Sequence, residues 1–520
     1  MKISISQLNY TSGTIAANSR KIIAHIQQAK RENCELVIFS ELSICGALPY
    51  DLLLQKDFIA QCDKALHEIA RECIGVTALV GCPIMENGKL YNSAVCLQNG
   101  KIEQSFHKNT IAWDERLYFA ENSELQYLQI NNLNIAVIFA NDIENQQIKQ
   151  HCQNADYVVV LASQAFCGNN EFLTKLTQIA KEISTPIIYS NCVGGEVSAV
   201  FEGASAVFSA EGEIVEMLPY FEEGCRIFDV ACRDVARYVS TTNQPFNKTA
   251  LTHNALVLAL KDFFAKRNFK TAILGLSGGL DSAVVLALAV QALGSENVRV
   301  FLLPSEFSSQ HSIDDAVALA EKLHVRYDTL SIAPLYNTAL QTLQPVFGDL
   351  PFGLAEENIQ SRLRGLLLMA ASNKSGSIVL NTTNKSEAAV GYGTLYGDTN
   401  GALSILGDVY KTGVYRLAHY INRNEEIIPQ NTITKAPSAE LRPNQKDSDS
   451  LPDYEMLDAI LYEFLERNQP ANEIVAKGFP AEVVEKTLRL VRMNEYKRRQ
   501  FPPVVAVSTC AFTARRRMPV

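Results

Sequence analysis

The run Gly275-Leu-Ser-Gly-Gly-Leu-Asp-Ser282 is the part of the chain from which its architecture is most directly predicted. It follows an apolar run at 271–274 that is typical of a buried strand, and it opens an apolar helical run at 283–293. A strand that turns into a helix through glycines presents unpaired backbone N–H groups and the positive end of the helix dipole. The pattern therefore predicts a phosphate-binding loop at the start of a helix.

The side chains of this run indicate what kind of phosphate ligand it takes. Gly278 and Gly279 allow the backbone to approach a ligand closely, while Ser277 and Ser282 add hydroxyl donors. Asp281 is different, because a carboxylate beside phosphates is repelled unless a Mg²⁺ ion lies between them. The run lacks the Gly-Lys-Ser/Thr ending of a conventional P-loop, and glycines alone are also typical of an ordinary turn. On these residues alone, both interpretations stay open.

Length and composition limit the class of protein. The 520 residues predict two large domains or three small ones, and 47% hydrophobic with 20% charged residues is ordinary for a globular protein. The net charge of −9 argues against a nucleic-acid or membrane-surface partner. No apolar run reaches membrane-spanning length, and the N-terminal run lacks a signal-peptide core. We therefore expect a cytoplasmic protein.

Strand and helix patterns alternate in both halves of the chain, but in two different ways. In the first half, strand–turn–strand pairs at 77–95 and 204–215 are mixed with amphipathic helices, which indicates layered α/β packing. The second half repeats strand–loop–helix units, which predicts a doubly wound parallel sheet with ligands beyond the carboxyl ends of its strands. Because the chain becomes polar and irregular near 233–252, we predict domains at 1–240 and 241–520.

Further segments of the second half add candidate ligands for a nucleotide. Thr382-Thr-Asn-Lys-Ser-Glu387 follows an apolar strand, and Glu387 offers a second carboxylate for a metal shared with Asp281. Downstream, Leu395-Tyr-Gly-Asp398 adds a third acid, and Lys411 is expected to bind phosphate as a point charge. Each of these residues alone is more often a capping or surface residue. Their combination with the glycine loop favours a binding site.

The second half is similar to the synthetase domain of NAD synthetases, which are ATP-pyrophosphatases. The resemblance implies that ATP is a co-substrate, that Mg²⁺ is required, and that the carboxylate of deamido-NAD attacks the α-phosphorus of ATP. Ammonia then displaces AMP from the adenylate to leave an amide. The match is close over 269–458 and is carried by four long runs: Leu303-Pro-Ser-Glu-Phe-Ser-Ser-Gln-His-Ser, Leu354-Ala-Glu-Glu-Asn-Ile-Gln-Ser-Arg-Leu-Arg-Gly, Asn384-Lys-Ser-Glu-Ala-Ala-Val-Gly-Tyr and Pro437-Ser-Ala-Glu-Leu-Arg-Pro-Asn-Gln.

This resemblance implies roles for individual residues. Asp398 and Lys411 are the candidate catalytic residues, with Asp398 taking a proton from ammonium, because only unprotonated ammonia is nucleophilic. Mg²⁺ is expected on Asp281 and Glu387. ATP is expected to contact Gly275, Ser277, Gly278, Gly279, Asp281, Ser282 and Thr382. Deamido-NAD is expected to contact Asn358, Arg362, Glu387 and Lys497.

Residues 1 to about 235 resemble the nitrilase, or carbon–nitrogen hydrolase, domain by which glutamine-dependent NAD synthetases release ammonia from glutamine. The resemblance implies an α-β-β-α sandwich with a Glu base, a Lys that stabilises an oxyanion and a Cys nucleophile. Glu41 and Lys108 occupy the first two positions, but Ala140 stands at the cysteine position. Since an alanine methyl cannot form a thioester, we expect a vestigial glutaminase in which Glu41 and Lys108 form a buried ion pair.

Other departures from the hydrolase pattern accompany Ala140. The chain after Lys108 is several residues shorter than in the family, and Asn169 stands where a basic residue is expected. The leading interpretation is an NAD synthetase that uses free ammonia. Two alternatives remain: glutamine dependence through Cys167 or another nucleophile, and a carbon–nitrogen hydrolase with a nucleotide-sensing domain. The resemblance also implies a homo-oligomer built on a dimer of synthetase domains, with small molecules as its substrates.

Overall fold

The computed structural model describes residues 1–229, 246–443 and 445–512. These residues form two compact units. The predicted boundary at residue 240 lies outside the described residues, so its position stays a prediction. The first unit comprises Met1–Ala165, Asn169–Glu196 and Phe201–Phe246, and the second comprises Phe166–Gly168, Val197–Val200 and Asn247–Val520.

Two six-stranded sheets form the centre of the first unit. The strands up to residue 229 are β1 (Lys2–Gln7), β2 (Leu36–Ile38), β3 (Thr77–Glu86), β4 (Lys89–Gln98), β5 (Lys101–His107), β6 (Tyr127–Ile130), β7 (Leu133–Phe139), β8 (Tyr157–Ala162), β9 (Ile187–Asn191), β10 (Val193–Gly195), β11 (Val200–Glu202), β12 (Ala206–Phe208), β13 (Ile214–Met217) and β14 (Gly224–Asp229). One sheet has the order β14-β1-β2-β3-β4-β5 and the other β13-β12-β9-β8-β7-β6, while β10 pairs with β11.

Helices cover the outer faces of the two sheets. Side chains alternate along β8, so that Val159 joins the apolar core between the sheets while Val160 packs with Leu176 of the covering helices. Both faces of the strand are buried, which explains its continuous apolar sequence. This arrangement confirms the α-β-β-α sandwich. The helices of the unit are α1 (Ile15–Arg31), α2 (Lys56–Glu72), α3 (Gln146–Gln153) and α4 (Glu171–Ile183).

A parallel sheet forms the centre of the second unit. Its strands are β15 (Ala272–Gly275), β16 (Val298–Leu302), β17 (Arg326–Thr329), β18 (Ile378–Asn381) and β19 (Leu403–Ser404), in the order β17-β16-β15-β18-β19. The connections therefore diverge between β15 and β18, and ligands of such sheets bind beyond the carboxyl ends of the strands at this switch point. The predicted glycine loop follows β15, and the Thr382–Glu387 segment follows β18. The predicted doubly wound sheet is confirmed.

Helices of very different character surround this sheet. α6 is buried along most of its length, as its apolar sequence requires, whereas α9 buries only Gln360, Ser361 and Gly365. None of the helices in the described part of the chain is long and apolar enough to cross a membrane. The helices are α5 (Lys248–Lys266), α6 (Leu280–Leu293), α7 (Gln310–Lys322), α8 (Ala333–Phe347), α9 (Leu354–Ser375), α10 (Lys385–Val390), α11 (Lys411–Ile421), α12 (Gln430–Thr434), α13 (Tyr454–Leu465), α14 (Ala471–Ala476), α15 (Ala481–Met493) and α16 (Glu495–Arg498).

Candidate active site

A cavity of about 310 Å³ opens at the carboxyl ends of β15 and β18 in the second unit. Because these two strands are neighbours, the loops that follow them meet across it. Ten of the predicted site residues line this cavity: Gly275, Ser277, Gly278, Gly279, Asp281, Ser282, Thr382, Glu387, Asp398 and Lys411. The fold thus brings together residues that lie up to 136 positions apart in the chain (275 to 411).

The glycine loop has a backbone that only glycine permits. Gly278 has φ +78, and a Cβ built there would lie 2.1 Å from the carbonyl oxygen of Ser312. Within the loop, the Gly279 N–H donates to Ser277 Oγ at 3.2 Å, and the Ser277 and Ser282 hydroxyls are 3.2 Å apart. Since α6 begins without a side-chain cap, its first N–H groups remain available to an anion.

Side chains from two distant segments of the chain contact Asp281. Its carboxylate forms an ion pair with Lys411 Nζ and accepts a hydrogen bond from Asn384 Nδ2 at 2.9 Å. Burial lowers the pKa of Lys411, but the charges of Asp281 and Glu387 outweigh burial and hold that pKa above its ordinary value. Lys411 therefore contacts a carboxylate in this structure, and the predicted contact with phosphate stays a prediction.

Glu387 lies beside the same charges. Its pKa is raised well above its ordinary value, first by burial and then by the charge of Asp281, while Lys411 opposes the shift. The carboxyl groups of Asp281 and Glu387 thus both lie within electrostatic reach of Lys411, and such hard oxygen ligands suit Mg²⁺. The described residues contain no cluster of three metal-ligating side chains. The pair nevertheless fits Mg²⁺, which usually keeps several waters and phosphate oxygens as its other ligands.

Asp398 faces the cavity while protein atoms surround it on the other sides. Its Oδ1 accepts from the Thr394 N–H at 2.6 Å, and its own N–H donates to Ser361 Oγ at 3.0 Å. Burial raises the pKa of this carboxyl, against the opposing effects of the Thr394 N–H, Lys497 and Arg364. A fixed carboxylate with a raised pKa suits a proton acceptor.

Three predicted ligands of deamido-NAD lie beside this cavity rather than in its lining. Asn358 accepts from Thr394 Oγ1 at 2.7 Å, and Arg362 Nε donates to the Leu395 carbonyl at 3.2 Å. Lys497 Nζ donates to the carbonyls of Gly391 and Gly393, at 2.8 and 2.9 Å. All three hold the segment 391–395, which leads to Asp398. Their proposed contact with substrate stays a prediction.

Arg364 and Glu440 are among the charged residues of the cavity lining that sequence reasoning missed. Arg364 donates from Nε to the Leu303 carbonyl at 2.9 Å, and burial lowers its pKa to about 10. Glu440 accepts from the Ser309 N–H at 3.2 Å and from Ser312 Oγ at 2.7 Å. Both residues lie within the runs that carried the resemblance, which was the only signal in the sequence that pointed to them.

The first unit holds a second charged centre, around Lys108. The Lys108 Nζ lies 2.8 Å from Glu41 Oε1, and 2.8 and 2.9 Å from the two carboxylate oxygens of Glu115. Glu41 also accepts from Asn92 Nδ2 at 2.7 Å and from Ser163 Oγ at 3.0 Å. The side chains of Lys108 and Glu41 are only 2% and 3% exposed. Glu115 was absent from the predicted centre, which held only Glu41 and Lys108.

Ala140 begins the chain segment that follows β7. Phe139 pairs with Leu161, so Ala140 and Ser163 follow the carboxyl ends of neighbouring parallel strands. Asp142 fastens this segment by accepting from the N–H groups of Thr110 at 2.6 Å and Phe139 at 3.0 Å. The Ala140 side chain belongs to an apolar core cluster. The position therefore offers a methyl group and no nucleophilic atom.

The geometry defines the class of the protein. A glycine loop with paired carboxylates at the switch point of a parallel sheet is typical of an ATP-consuming ligase of the pyrophosphatase type, here in one chain with a hydrolase-type sandwich. Residues 252–501 match the NAD synthase family, and residues 2–239 match the carbon-nitrogen hydrolase family.

Comparison over the full length specifies the family. The glutamine-dependent NAD(+) synthetase of Synechocystis sp. is 40% identical, over 100% of this chain and 98% of its own, and that of Acinetobacter baylyi is 39% identical over the same shares. The solved structure of glutamine-dependent NAD+ synthetase from Acinetobacter baumannii, in complex with ADP, has a TM-score of 0.81 at 36% identity and covers 100% of this chain and 98% of its own. The chain belongs to the glutamine-dependent NAD(+) synthetases. This membership argues against a hydrolase with a nucleotide-sensing domain.

Proposed function

We propose that this member of the family converts deamido-NAD to NAD with ATP and takes its nitrogen from free ammonia. One observation carries the choice of donor: Ala140 stands at the end of β7, where the hydrolase chemistry needs a cysteine. Without a thiol at this position, glutamine cannot form the covalent intermediate from which ammonia is released. Ammonia then has to reach the synthetase cavity from solution.

The cavity residues have distinct roles in the proposed reaction. The carboxylate of deamido-NAD attacks the α-phosphorus of ATP, and pyrophosphate leaves from the glycine loop, whose Gly278 and Gly279 N–H groups stabilise its charge. Ammonia then attacks the acyl carbon and AMP leaves. Asp398 accepts the proton that ammonium gives up, because its raised pKa and its place in the cavity lining suit that transfer.

Two carboxylates are proposed as the metal site. Asp281 and Glu387 would hold Mg²⁺, and the bound ion would neutralise charge on the phosphates. Lys411 pairs with Asp281 and holds its carboxylate in place at the cavity. A cation between Asp281 and Glu387 would relieve the repulsion that raises the pKa of Glu387, and this supports the assignment of a metal here.

A second candidate donor is glutamine, and the names of the relatives favour it. In this chain it requires a nucleophile other than position 140, and the half-buried Cys167 is the candidate. For Cys167 to attack glutamine, the substrate would have to bind in an orientation that does not use the segment after β7. We prefer ammonia because the residue that departs from the family pattern is the one at the nucleophile position itself, where Ala140 stands in place of cysteine.

The nitrogen-donor comparison separates these candidates. The purified full-length chain is supplied with deamido-NAD, ATP and magnesium, and with either ammonium chloride or glutamine from which free ammonium has been removed. We expect NAD, AMP and pyrophosphate with ammonium, and no glutamate from glutamine. Glutamate formed at the rate of NAD would refute the choice of ammonia. AMP and pyrophosphate released without deamido-NAD would refute the assigned substrate.

We also infer a cytoplasmic homo-oligomer whose contact is an apolar surface of α8, α9 and the segment between them, defined here as Val346, Leu350, Leu354 and Leu366. These side chains are 76%, 75%, 71% and 60% exposed, and such a patch favours a protein interface. A second copy fits best, because most soluble oligomers are symmetric and bury the same patch on both subunits. Sedimentation of Leu350→Asp/Leu354→Asp should give monomers where the parent chain gives dimers. A parent chain that sediments as a monomer would refute this inference.

A further inference from the structure

A buried charged network lies behind α10, on the side away from the cavity, and the proposed reaction does not use it. The Lys385 Nζ lies 2.7 Å from Asp408 Oδ1, 2.5 Å from Glu466 Oε1 and 2.8 Å from Ser508 Oγ. The Lys385 side chain is 0% exposed. Burying three charges is costly unless each is paired and hydrogen-bonded. A network of this kind therefore has to be explained by what it holds in place.

A second buried acid fastens the same helix. The Ser386 hydroxyl donates to Asp458, and Ser386 Oγ accepts from the Lys411 N–H at 2.9 Å. The other Asp458 oxygen accepts from the Thr412 N–H at 2.8 Å. The backbone at Lys411, whose side chain pairs with Asp281, is thus tied directly to α10.

The order of residues explains why both networks act on the active site. Asn384 and Glu387 are three positions apart, so they share one face of the first helical turn, where Asn384 donates to Asp281 and accepts from the Glu387 N–H. Lys385 and Ser386 lie between them and point the other way. The helix has only six residues, too few to be stable without tertiary contacts. Its orientation, and hence the position of Glu387, depends on what holds its rear face.

The end of the chain supplies the remaining donors of the network. Asp408 Oδ2 accepts from the N–H groups of Val507 and Ser508, at 2.7 Å each, and Thr509 Oγ1 donates to Glu466. Two carboxylates face one lysine, and these N–H and hydroxyl groups satisfy their remaining lone pairs. The segment 507–509 is therefore part of the network that contacts α10.

We propose that Lys385 is a positioning residue for the amidation, and that segment 507–509 completes the network through which it orients Glu387 and Lys411. The inference rests on the proposed function, because it concerns that same site. Without the Lys385 charge, Asp408 and Glu466 repel each other behind α10, and the helix shifts. A shift of about 1 Å at a catalytic group costs on the order of 100-fold in rate.

The test compares Lys385→Met with Lys477→Met, which removes a lysine from an exposed ion pair with Glu463. NAD formation is measured with ammonium as donor, well below the unfolding temperature of each variant. We expect kcat of Lys385→Met to fall by about 10- to 100-fold while KM for ATP changes by less than about threefold. Lys477→Met should match the parent chain. A folded Lys385→Met with parental kcat would overturn the proposal.

A double variant separates positioning from a merely structural role. If Lys385 acts through Glu387, Lys385→Met added to Glu387→Gln should lower kcat by less than about threefold beyond Glu387→Gln alone. Full additivity of the two losses would overturn the proposal. Should Lys385→Met fail to fold, Ser508→Ala and Thr509→Val apply the same test, with kcat expected to fall by about three- to tenfold in each, and parental kcat in both would overturn it. Absence of NAD formation by the parent chain would refute the proposed function instead.

Discussion

The Asp281 corner of the synthetase cavity and the Lys108 centre each hold two acidic side chains and one lysine, but differ in what those groups face. In the cavity, Asp281 pairs with Lys411, and Asp281 and Glu387 border open space of about 310 Å³. In the first unit, Glu41 and Glu115 share Lys108, and Asn92 and Ser163 supply further hydrogen bonds to Glu41. The carboxyl groups thus border a cavity in the second unit, whereas those of the first unit are held by Lys108 and by hydrogen-bond donors.

The difference teaches that a set of charged residues does not define an activity. Chemistry requires space for the substrate and a reactive atom aimed into it. The cavity has both the space and the open N-terminus of α6, whereas the Lys108 centre has a methyl group at position 140. We propose that the Lys108 centre persists in the fold without a nucleophile because breaking a buried ion pair destabilises a protein more than keeping it.

The largest effect is expected at the cavity. Asp281→Asn removes the carboxylate that pairs with Lys411 and is proposed to hold Mg²⁺. Pyrophosphate release with deamido-NAD and ATP should fall on the order of 1000-fold, because phosphoryl chemistry depends on charge neutralisation. The matched control is Asp328→Asn. Asp328 lies on β17 and forms an ion pair with Arg299 of β16, and its replacement should leave activity unchanged. Adenylation retained by a folded Asp281→Asn would refute the role given to Asp281.

The corresponding change in the first unit should affect stability and not synthesis. Lys108→Met leaves Glu41 and Glu115 without their shared cation, and should destabilise this unit by about 3 kcal/mol or more. Urea unfolding followed by a signal from the first unit measures the loss. Lys64→Met, in an exposed pair with Glu68, is the control and should cost less than about 1 kcal/mol. A strong loss of ammonia-dependent kcat in folded Lys108→Met would show that the two centres are not independent.

The next prediction concerns Glu202, a buried acid whose charge is neutralised by its own proton and not by a lysine. Burial raises the pKa of Glu202 from 4.5 to about 8. Between these two pH values the folded state keeps a proton that the unfolded state loses, so stability falls as pH rises from about 5 to 8. Glu202→Gln has no proton to lose. Its unfolding temperature should exceed that of the parent chain at pH 8.5 by at least about 3 °C, with the difference shrinking towards pH 5.

The prediction concerns how the difference in unfolding temperature between Glu202→Gln and the parent chain changes with pH, so the measurement at pH 5 is the control for the one at pH 8.5. Thermal unfolding at pH 5, 7 and 8.5 is sufficient. An equal difference between Glu202→Gln and the parent chain at all three values would show that the carboxyl of Glu202 does not titrate in this range.

The smallest effect is expected at Cys167. Cys167→Ser should leave NAD formation with ammonium unchanged and glutamate formation undetectable, because the proposed ammonia-dependent reaction uses no catalytic thiol. Mass spectrometry of glutamate and NAD in parallel reactions measures both products. If the parent chain uses glutamine and Cys167→Ser abolishes that use, the second donor candidate replaces the first.

Much of the fold was predictable because its signals are local. The strand–turn–strand pairs at 77–95 and 204–215 indicated a layered first unit, and the repeated strand–loop–helix units of the second half indicated a parallel sheet. The cavity residues were predictable as a group because strand ends of a parallel sheet share one edge. Arg364 and Glu115 were missed, since nothing local distinguishes them from surface charges.

The ion pair between Glu41 and Lys108 was predicted only through the family resemblance, and other partners across long separations were beyond sequence reasoning. Lys411 was expected on phosphate, yet it pairs with a carboxylate 130 positions earlier. The contacts of Lys385 with Asp408, Glu466 and Ser508 likewise join residues 23 (385 to 408), 81 and 123 positions apart. Nothing in the periodicity of the chain indicates such pairs.

Sequence alone established the two fold classes, the glycine loop and the absence of a thiol at position 140, because each is a matter of residue identity or of short-range pattern. Tertiary structure was needed to show which charge faces which. Whether a carboxylate binds a lysine, keeps a proton or lines a cavity depends on burial and on neighbours a few ångströms away, and these are set by how distant segments pack.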